Sequence, residues 1–464
     1  MRDYQSAVRD LNTLQTNATV LANQARVGFP AYGTGLANMK VHLDRLGYQP
    51  SDLNRLNVIH VAGTKGKGST SVYCESILRR LPRGSSDETP LRVGVYTSPH
   101  LIQARERIRL GGKPVAESLF AKYFYEVWDA VIAERMDVVV LEVGIGGRYD
   151  STNLVPKPVV CGITSLGLDH QTVLGNTLAE IAAQKAGIAK PGVPLICVPQ
   201  PVEAREAIER VAKEEKAFLA WLIPNLIYRT IPLGIQGAHQ ALNAQLAAAL
   251  ATHWVRGSSL RHPAVERALA ALTGAGPQIP PFIAEGITEA RWPGRSQVVR
   301  EPESNLTWYL DGAHTKESME ACATWFTATA SAEPPVPTVL IFNCSRGRAS
   351  GGMLQALGRH VLPRISITAA VFCPNLTQRS DGQNYNVNIG AELPDQHEHR
   401  AIWDALCAET AVACTTAVAP TIQAAVDWAR AQAPADRPSQ IFVTGSLHLV
   451  GGVLDILDVP LFDE

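Results

Sequence analysis

The stretch Asn57-Val58-Ile59-His60-Val61-Ala62-Gly63-Thr64-Lys65-Gly66-Lys67-Gly68-Ser69-Thr70 decides the fold. Its first six residues read as a short apolar strand, and the spacing beyond predicts a helix from about Ser69 to Arg80. A glycine-rich turn between strand and helix is the setting that a phosphate-binding loop requires. Its glycines let backbone N–H groups point inward, and the helix N-terminus favours an anion. Lys67 is placed to reach the terminal phosphates, with a hydroxyl of Ser69 or Thr70 facing Mg²⁺. The spacing departs from the common GxxxxGK[ST] pattern, because Gly68 separates Lys67 from the hydroxyls. A generic Gly/Lys turn is the competing reading. Three glycines and two lysines between a strand and a helix favour a loop for a nucleoside triphosphate.

Outward from this loop, helical spacing before it runs from Tyr4 to about Tyr48, through Ala7, Val8, Leu11 and Leu14 and then Leu36, Met39, Leu43 and Leu46. After it, Leu91–Tyr96, Met136–Val143, Val159–Ser165 and Val193–Val198 read as strands, with helical patterns at Val115–Arg135 and Leu178–Ala189. Strands alternating with helices imply a mainly parallel sheet covered on both faces. A helix-rich segment from Gln236 to Leu272 ends in the breaker cluster Gly274–Pro281. A second α/β pattern follows, with strands at Thr307–Leu310, Thr338–Phe342, Ile365–Phe372 and Gln440–Val443. The expected division is a P-loop domain over 1–298 and a smaller Rossmann-like domain over 299–464.

The 464 residues suggest two or three domains, and 46% hydrophobic with 18% charged residues describes a chain with ample apolar surface to bury. A net charge of −1 carries no footprint for nucleic acid or an anionic membrane. The eight cysteines are scattered without a CxxC pair, as expected of reduced, buried thiols in a cytosolic protein. No apolar run reaches the ~18 residues of a membrane span. The N-terminus reads as neither a secretory signal nor a mitochondrial transit peptide, so the expected compartment is the cytoplasm. A mitochondrial form with a longer N-terminus stays compatible with that reading.

The loop form Gly63–Thr70 resembles that of folylpolyglutamate and dihydrofolate synthases, relatives of the Mur ligases. Further segments resemble the family in the same order along nearly the whole chain. They are Thr97-Ser98-Pro99-His100-Leu101, Arg105-Glu106-Arg107-Ile108 and Leu141–Asp150, then Ser165–His170, Gln184–Ile188, Trp292–Arg295 and Tyr309–Thr315. Cys373–Thr377 and Thr444–Leu449 look like the eukaryotic folylpolyglutamate branch. The resemblance implies a Mur ligase-like fold, with ATP and Mg²⁺ as cofactors and K⁺ as an accompanying monovalent cation. It also implies tetrahydrofolate, its polyglutamates and L-glutamate as substrates, and a monomer.

The same resemblance gives individual residues their expected roles. Ser98, Glu142 and His170 would hold the metal, Lys67, His170 and Lys185 would serve catalysis, and Lys185 is the position that can be carbamylated. Gly63, Thr64, Lys65, Gly66, Lys67, Gly68, Ser69, Thr70, Gln240, Asn243, Arg295, Asp311 and His314 would form the nucleotide site. Several of these have an independent physical reading. Glu142 ends a very apolar strand, at the sheet edge where ligands bind in open α/β folds, and carboxylates are natural Mg²⁺ ligands. A strand-end glutamate is also often purely structural. His170 is an unusual ligand for a hard cation, so its metal role comes from the resemblance. Lys185 reads either as an amphipathic lysine with its head in water or as a buried amine of depressed pKa, open to CO₂. Arg295 suits a phosphate clamp, and a linker arginine that is only solvated is its alternative. Gln240 and Asn243 are equally consistent with polar contacts within a helix. Lys65, Arg105 and Arg107 are candidates for an anionic glutamyl tail, with solvated surface charge as the alternative.

One segment departs from the family pattern. Eukaryotic relatives tend to carry an acidic loop where this chain has Asn343-Cys344-Ser345-Arg346-Gly347-Arg348. The expected reaction is ATP-dependent addition of glutamate to the γ-carboxylate of a folate through an acyl phosphate, which needs positioning and charge neutralisation more than a covalent nucleophile. Competing readings are a dihydrofolate synthase, a paralogous amide ligase with another acceptor, and a nucleotide-binding regulator without ligase activity.

Overall fold

The computed structural model describes residues 3–13, 34–45, 47–84, 88–126, 136–276, 278–301, 304–330, 336–344, 350–376, 393–434 and 436–462. Leu14, Leu46, the 127–135 end of the helix expected from Val115, the 345–348 part of the altered loop and Thr377 lie outside the described residues. The chain divides into two compact units, one of Met1–Gly234 with Gln240–Arg291 and the other of Ile235–His239 with Trp292–Asp463.

The first unit is built on an eight-stranded sheet. Its strands are β1 (Ile59–Ala62), β2 (Val93–Tyr96), β3 (Ile108–Leu110), β4 (Lys113–Pro114), β5 (Val138–Glu142), β6 (Val160–Ile163), β7 (Pro194–Cys197) and β8 (Phe218–Trp221), in the order β4-β3-β2-β5-β1-β6-β7-β8. All pairings are parallel except β2–β3 and β3–β4. The central strands are buried on both faces, which is why β1 and β5 read as continuous apolar runs rather than alternating ones. Helix Lys67–Arg79 follows β1 and is buried from Ser69 through Leu78. Helix Leu178–Ala186 starts at a capping box in which Thr177 and Glu180 satisfy each other's backbone N–H groups. Helix Gln240–Gly257 is alanine-rich, a composition that lets it bury most of its length closely against the sheet.

The second unit carries β9 (Gln297–Arg300), β10 (Leu306–Asp311), β11 (Thr338–Phe342), β12 (Ile367–Phe372), β13 (Thr415–Val418) and β14 (Ser439–Thr444), in the order β13-β12-β11-β14-β10-β9. Only β9 runs antiparallel. Its core stacks Phe326 on Phe442 with ring centroids 3.9 Å apart. Residue 298, the expected domain boundary, lies inside β9.

The α/β class with mainly parallel sheets stands as expected, and the apolar strands fall where they were read. Strands β3, β4, β8, β9 and β13 were not anticipated. They lie at or beside the sheet edges, where one-sided pairing and partial exposure remove the continuous apolar signal. Phe218–Trp221 alternates exposed and half-buried positions, and Gln297–Arg300 alternates in the same way. All eight cysteines are free, and seven are buried. No described helix is long and apolar enough to cross a membrane.

Candidate active site

Strand register gathers the expected residues of the first unit on one edge of its sheet. Val61 of β1 lies beside Glu142 of β5, and Ala62 lies beside Ile163 of β6. The loop after β1, the Glu142 carboxylate, and the Thr164–His170 segment after β6 therefore leave the same carboxyl edge. Ser98 follows β2 onto that edge as well. Neighbouring strands β1 and β6 lead on to β2 and β7, on opposite sides of the sheet, which opens a crevice for ligands between them.

The loop itself is held by backbone constraints that only glycine meets. Gly63 has φ 151° and Gly66 has φ 88°. A Cβ on Gly63 would lie 1.7 Å from Thr164 Oγ1, and one on Gly66 would lie 2.2 Å from Asn243 Oδ1. The amides of Thr64 and Lys65 both donate to Ser165 O at 3.0 Å. The Thr64 hydroxyl donates to Gly167 O and accepts from Gly167 N, each at 3.2 Å. The helix then begins at Lys67 with Gly66 as a cap that offers no side-chain acceptor, leaving first-turn N–H groups for an anion. Thr70 Oγ1 is fully buried and has no hydrogen-bond partner among the described residues. The glycine cradle and this orphaned hydroxyl fit a nucleotide phosphate with its divalent cation.

Glu142 is 4% exposed, and its Oε2 accepts a 3.1 Å hydrogen bond from the Ser98 amide. Two of the three expected metal residues are thus in contact. The Tyr96 phenol has a raised pKa, chiefly through burial, with Arg107 opposing and Asp150 and Glu142 adding to the rise. His170 adopts the left-handed conformation, φ 51° and ψ 37°, and its Nε2 lies 3.9 Å from Asp169 Oδ1. Asp169 in turn pairs with Lys65 at 3.6 Å. Among the described residues no group of three or more His, Cys, Asp or Glu is gathered as a metal cage. A Mg²⁺ that completes its shell with phosphate oxygens and water needs none.

Lys185 does not keep its head in water. It is 3% exposed, and its Nζ donates to Gly63 O at 2.8 Å. Burial lowers its pKa to about 7; Lys67 and Lys65 push the same way, and Asp169 and Asp150 oppose. Gln240 and Asn243 are both buried, and Asn243 Nδ2 donates to Gln240 Oε1 at 2.9 Å. The contact with Gly66 makes Asn243 a neighbour of the phosphate loop.

In the second unit, Asp311 ends β10 and is 8% exposed. Its Oδ2 accepts from Ser296 N at 2.8 Å and Ser296 Oγ at 3.3 Å, and its Oδ1 accepts from Ala313 N at 2.9 Å. The carboxylate therefore pins the turn that carries Arg295. Gly312 lies directly beneath Arg295, since a Cβ there would be 2.5 Å from Arg295 Nη1. His314 Nδ1 makes a 2.8 Å contact with Gly312 O. Arg295, Asp311 and His314 thus form one group.

His239 joins this group unanticipated. Its pKa is lowered, first by burial, with Asp311 raising and Arg295 lowering it. The sequence singles out Gln240 and Asn243 nearby and gives His239 no signal of its own. Asp169, Asp150 and Thr164 were also missed; Asp169 and Asp150 lie within quoted segments, and only side-chain geometry distinguishes them.

A parallel sheet whose first strand feeds a glycine–lysine loop and a buried helix, beside a strand-end carboxylate, defines a P-loop nucleotide-binding α/β protein. No protein-family model matches the chain. It is 35% identical over 494 residues to the probable folylpolyglutamate synthase of Schizosaccharomyces pombe, covering 99% of this chain and 95% of that one. It is 36% identical over 561 residues to the mitochondrial folylpolyglutamate synthase of Homo sapiens, covering 99% and 92%. The fold matches E. coli FolC in complex with DHPP and ADP at TM-score 0.69 and 23% identity, over 98% of both chains. It also matches the Yersinia pestis bifunctional folylpolyglutamate synthase/dihydrofolate synthase complexed with AMPPNP and Mn ion, at TM-score 0.67 and 23% identity over 98% of both. The chain belongs to the folylpolyglutamate synthase family, and it is an ATP-dependent ligase.

Proposed function

We propose that the chain adds L-glutamate to the γ-carboxylate of tetrahydrofolate and its polyglutamates, using ATP. The observation that carries the site reading is the meeting of the phosphate loop, the Glu142–Ser98 contact and buried Lys185 on one sheet edge. Loop amides and Lys67 bind the ATP phosphates. Ser98, Glu142 and His170 hold Mg²⁺, which neutralises phosphate charge when bound. The folate carboxylate attacks the γ-phosphate and ADP leaves; the amine of glutamate then attacks the acyl phosphate, and inorganic phosphate departs. Gln240 and Asn243 serve the nucleotide beside the phosphate loop in this reading, and Arg295, Asp311 and His314 are the second unit's own nucleotide-contacting candidates. The expected boundary at residue 298 moves back to Trp292, since 298 lies inside β9; in this reading the first unit serves ATP binding and the second the ligase step.

A pKa near 7 leaves much of Lys185 as free amine at neutral pH, which supports carbamylation: the amine adds CO₂ and releases a proton. K⁺ is the proposed accompanying monovalent cation. The proposed form is a cytoplasmic monomer, with a mitochondrial counterpart.

Purified protein with ATP, Mg²⁺, glutamate and tetrahydrofolate should give products bearing successive glutamyl additions by mass spectrometry. Addition to dihydropteroate alone, in a parallel reaction, would make the chain a dihydrofolate synthase. Absence of product in both would reassign the acceptor.

A further inference from the structure

Immediately beyond Glu142, the amides of Gly144 and Ile145 both donate to Asp150 Oδ2 at 3.1 Å. The other oxygen, Oδ1, accepts from Thr152 N at 2.9 Å and from Thr152 Oγ1 at 2.6 Å. With both Asp150 oxygens accepting, the Thr152 hydroxyl proton points at Asp150, and its lone pairs are left for another donor. His60 Nε2 lies 2.8 Å from that hydroxyl. The imidazole therefore carries its proton on Nε2. His60 Nδ1, buried and without a hydrogen-bond partner among the described residues, is then a bare lone pair rather than a stranded N–H. Burial, with Lys190 adding to it, holds the His60 pKa down to about 3, so the ring is neutral, and the hydrogen bond to Thr152 sets its tautomer.

The position of His60 gives the chain of bonds its meaning. It lies on β1 beside Leu141 of β5, one residue ahead of the Val61–Glu142 pair, on the strand that leads into the phosphate loop. The turn anchored by Asp150 also touches the other side of the site. A Cβ on Gly144 would lie 3.3 Å from Asp150 Oδ2 and 3.7 Å from Ser98 Oγ.

We propose that His60, Thr152 and Asp150 form a positioning relay that fixes the Gly144–Ile145 turn, and with it Glu142 and Ser98, relative to the phosphate loop. None of the three is asked to touch substrate. The relay rests on the reading of Glu142 and Ser98 as metal-holding residues. Its physical purpose is that a carboxylate must be held within tenths of an ångström to serve a cation with strict octahedral demands.

The test uses the full chain and the variants Thr152→Val, Thr152→Ser and Glu142→Gln, reading the Mg²⁺ dependence of the initial rate at saturating ATP beside thermal unfolding. Valine keeps the branched shape and deletes the hydroxyl; serine keeps the hydroxyl. Thr152→Val should raise the Mg²⁺ concentration for half-maximal rate about tenfold, the low end for losing an outer-shell partner. Thr152→Ser should restore it, and Glu142→Gln should raise it at least as far. A Thr152→Val enzyme of reduced stability but unchanged Mg²⁺ dependence, beside a Glu142→Gln enzyme that needs more Mg²⁺, overturns the relay and leaves the Glu142 reading standing. An unchanged Mg²⁺ dependence in Glu142→Gln removes that reading and the relay with it. If Thr152→Val does not fold, ¹⁵N NMR of histidine-labelled wild type supplies the check. A neutral Nε2–H tautomer at His60 from about pH 5 to 8 supports the relay, and an Nδ1–H or charged ring overturns it.

Discussion

The ammonium nitrogen of Lys185 donates a 2.8 Å hydrogen bond to the carbonyl oxygen of Gly63, the first residue of the phosphate loop. A lysine from the helix Leu178–Ala186 is thereby buried beneath the turn that binds phosphate, with Lys67 and Lys65 adding to its destabilisation as a cation.

The consequence is a pH-dependent stability with a definite sign. The folded pKa is about 7 against 10.5 for a lysine in water. Below about pH 7 both states carry the proton, and the folded state bears the full cost of a buried charge. Between the two values the unfolded chain binds a proton that the folded chain does not, so the contribution of Lys185 to stability rises with pH. Urea unfolding should show wild type gaining on Lys185→Met from pH 7 to 10; parallel profiles would contradict the shift. Activity of Lys185→Met should fall about 100-fold, as for loss of a preorganised group in an active site. Intact mass under CO₂-replete conditions should show carbamylated Lys185, and an active enzyme bearing only free amine would remove that part of the proposal.

Gly66→Ala combines a left-handed φ with a Cβ 2.2 Å from Asn243 Oδ1. It should lower stability by about 1–3 kcal/mol and weaken ATP binding. Asn243→Ala removes the obstructing atom. The double variant should therefore cost less than the sum of the singles, a coupling of about 0.5–3 kcal/mol measurable in a double-mutant cycle. Strict additivity would show that the contact is not felt.

Asp311 receives hydrogen bonds from Ser296 N, Ser296 Oγ and Ala313 N. Asp311→Ala leaves buried donors unpaired and should destabilise the second unit by about 2–4 kcal/mol. Asp311→Asn, which keeps an acceptor oxygen, should lose less. Thermal unfolding distinguishes the two.

Burial raises the pKa of Cys161, Cys373 and Cys407 to about 12, and it raises that of Cys74, Cys197 and Cys322 as well. Burial raises the Cys414 pKa too, but it is the one cysteine that is not buried, so alkylation of the folded chain near pH 8 should label Cys414 slowly and spare the rest until denaturant is added. Rapid labelling of Cys161 in the native protein would contradict its burial.

The phosphate loop was legible because its signals are local: an apolar strand, glycines at positions of positive φ and a helix that starts at once. Glu142 was legible for a similar reason, since the end of an unbroken apolar strand marks a sheet edge without any knowledge of its neighbours. Edge strands such as Phe218–Trp221 were illegible because half-exposed pairing leaves no run of apolar residues.

By itself, then, the sequence determined the strand–loop–helix unit, the alternation that makes parallel sheets and the family to which the chain belongs. The tertiary structure alone decided that Lys185 is buried against Gly63, a contact spanning 122 positions. It likewise decided that Asn243 closes on Gly66 and that His60 reaches Thr152, 92 positions away. Burial, pKa and hydrogen-bond partnership depend on which distant backbone lies beside a side chain. No local pattern encodes that; the order and register of the strands in the sheet do.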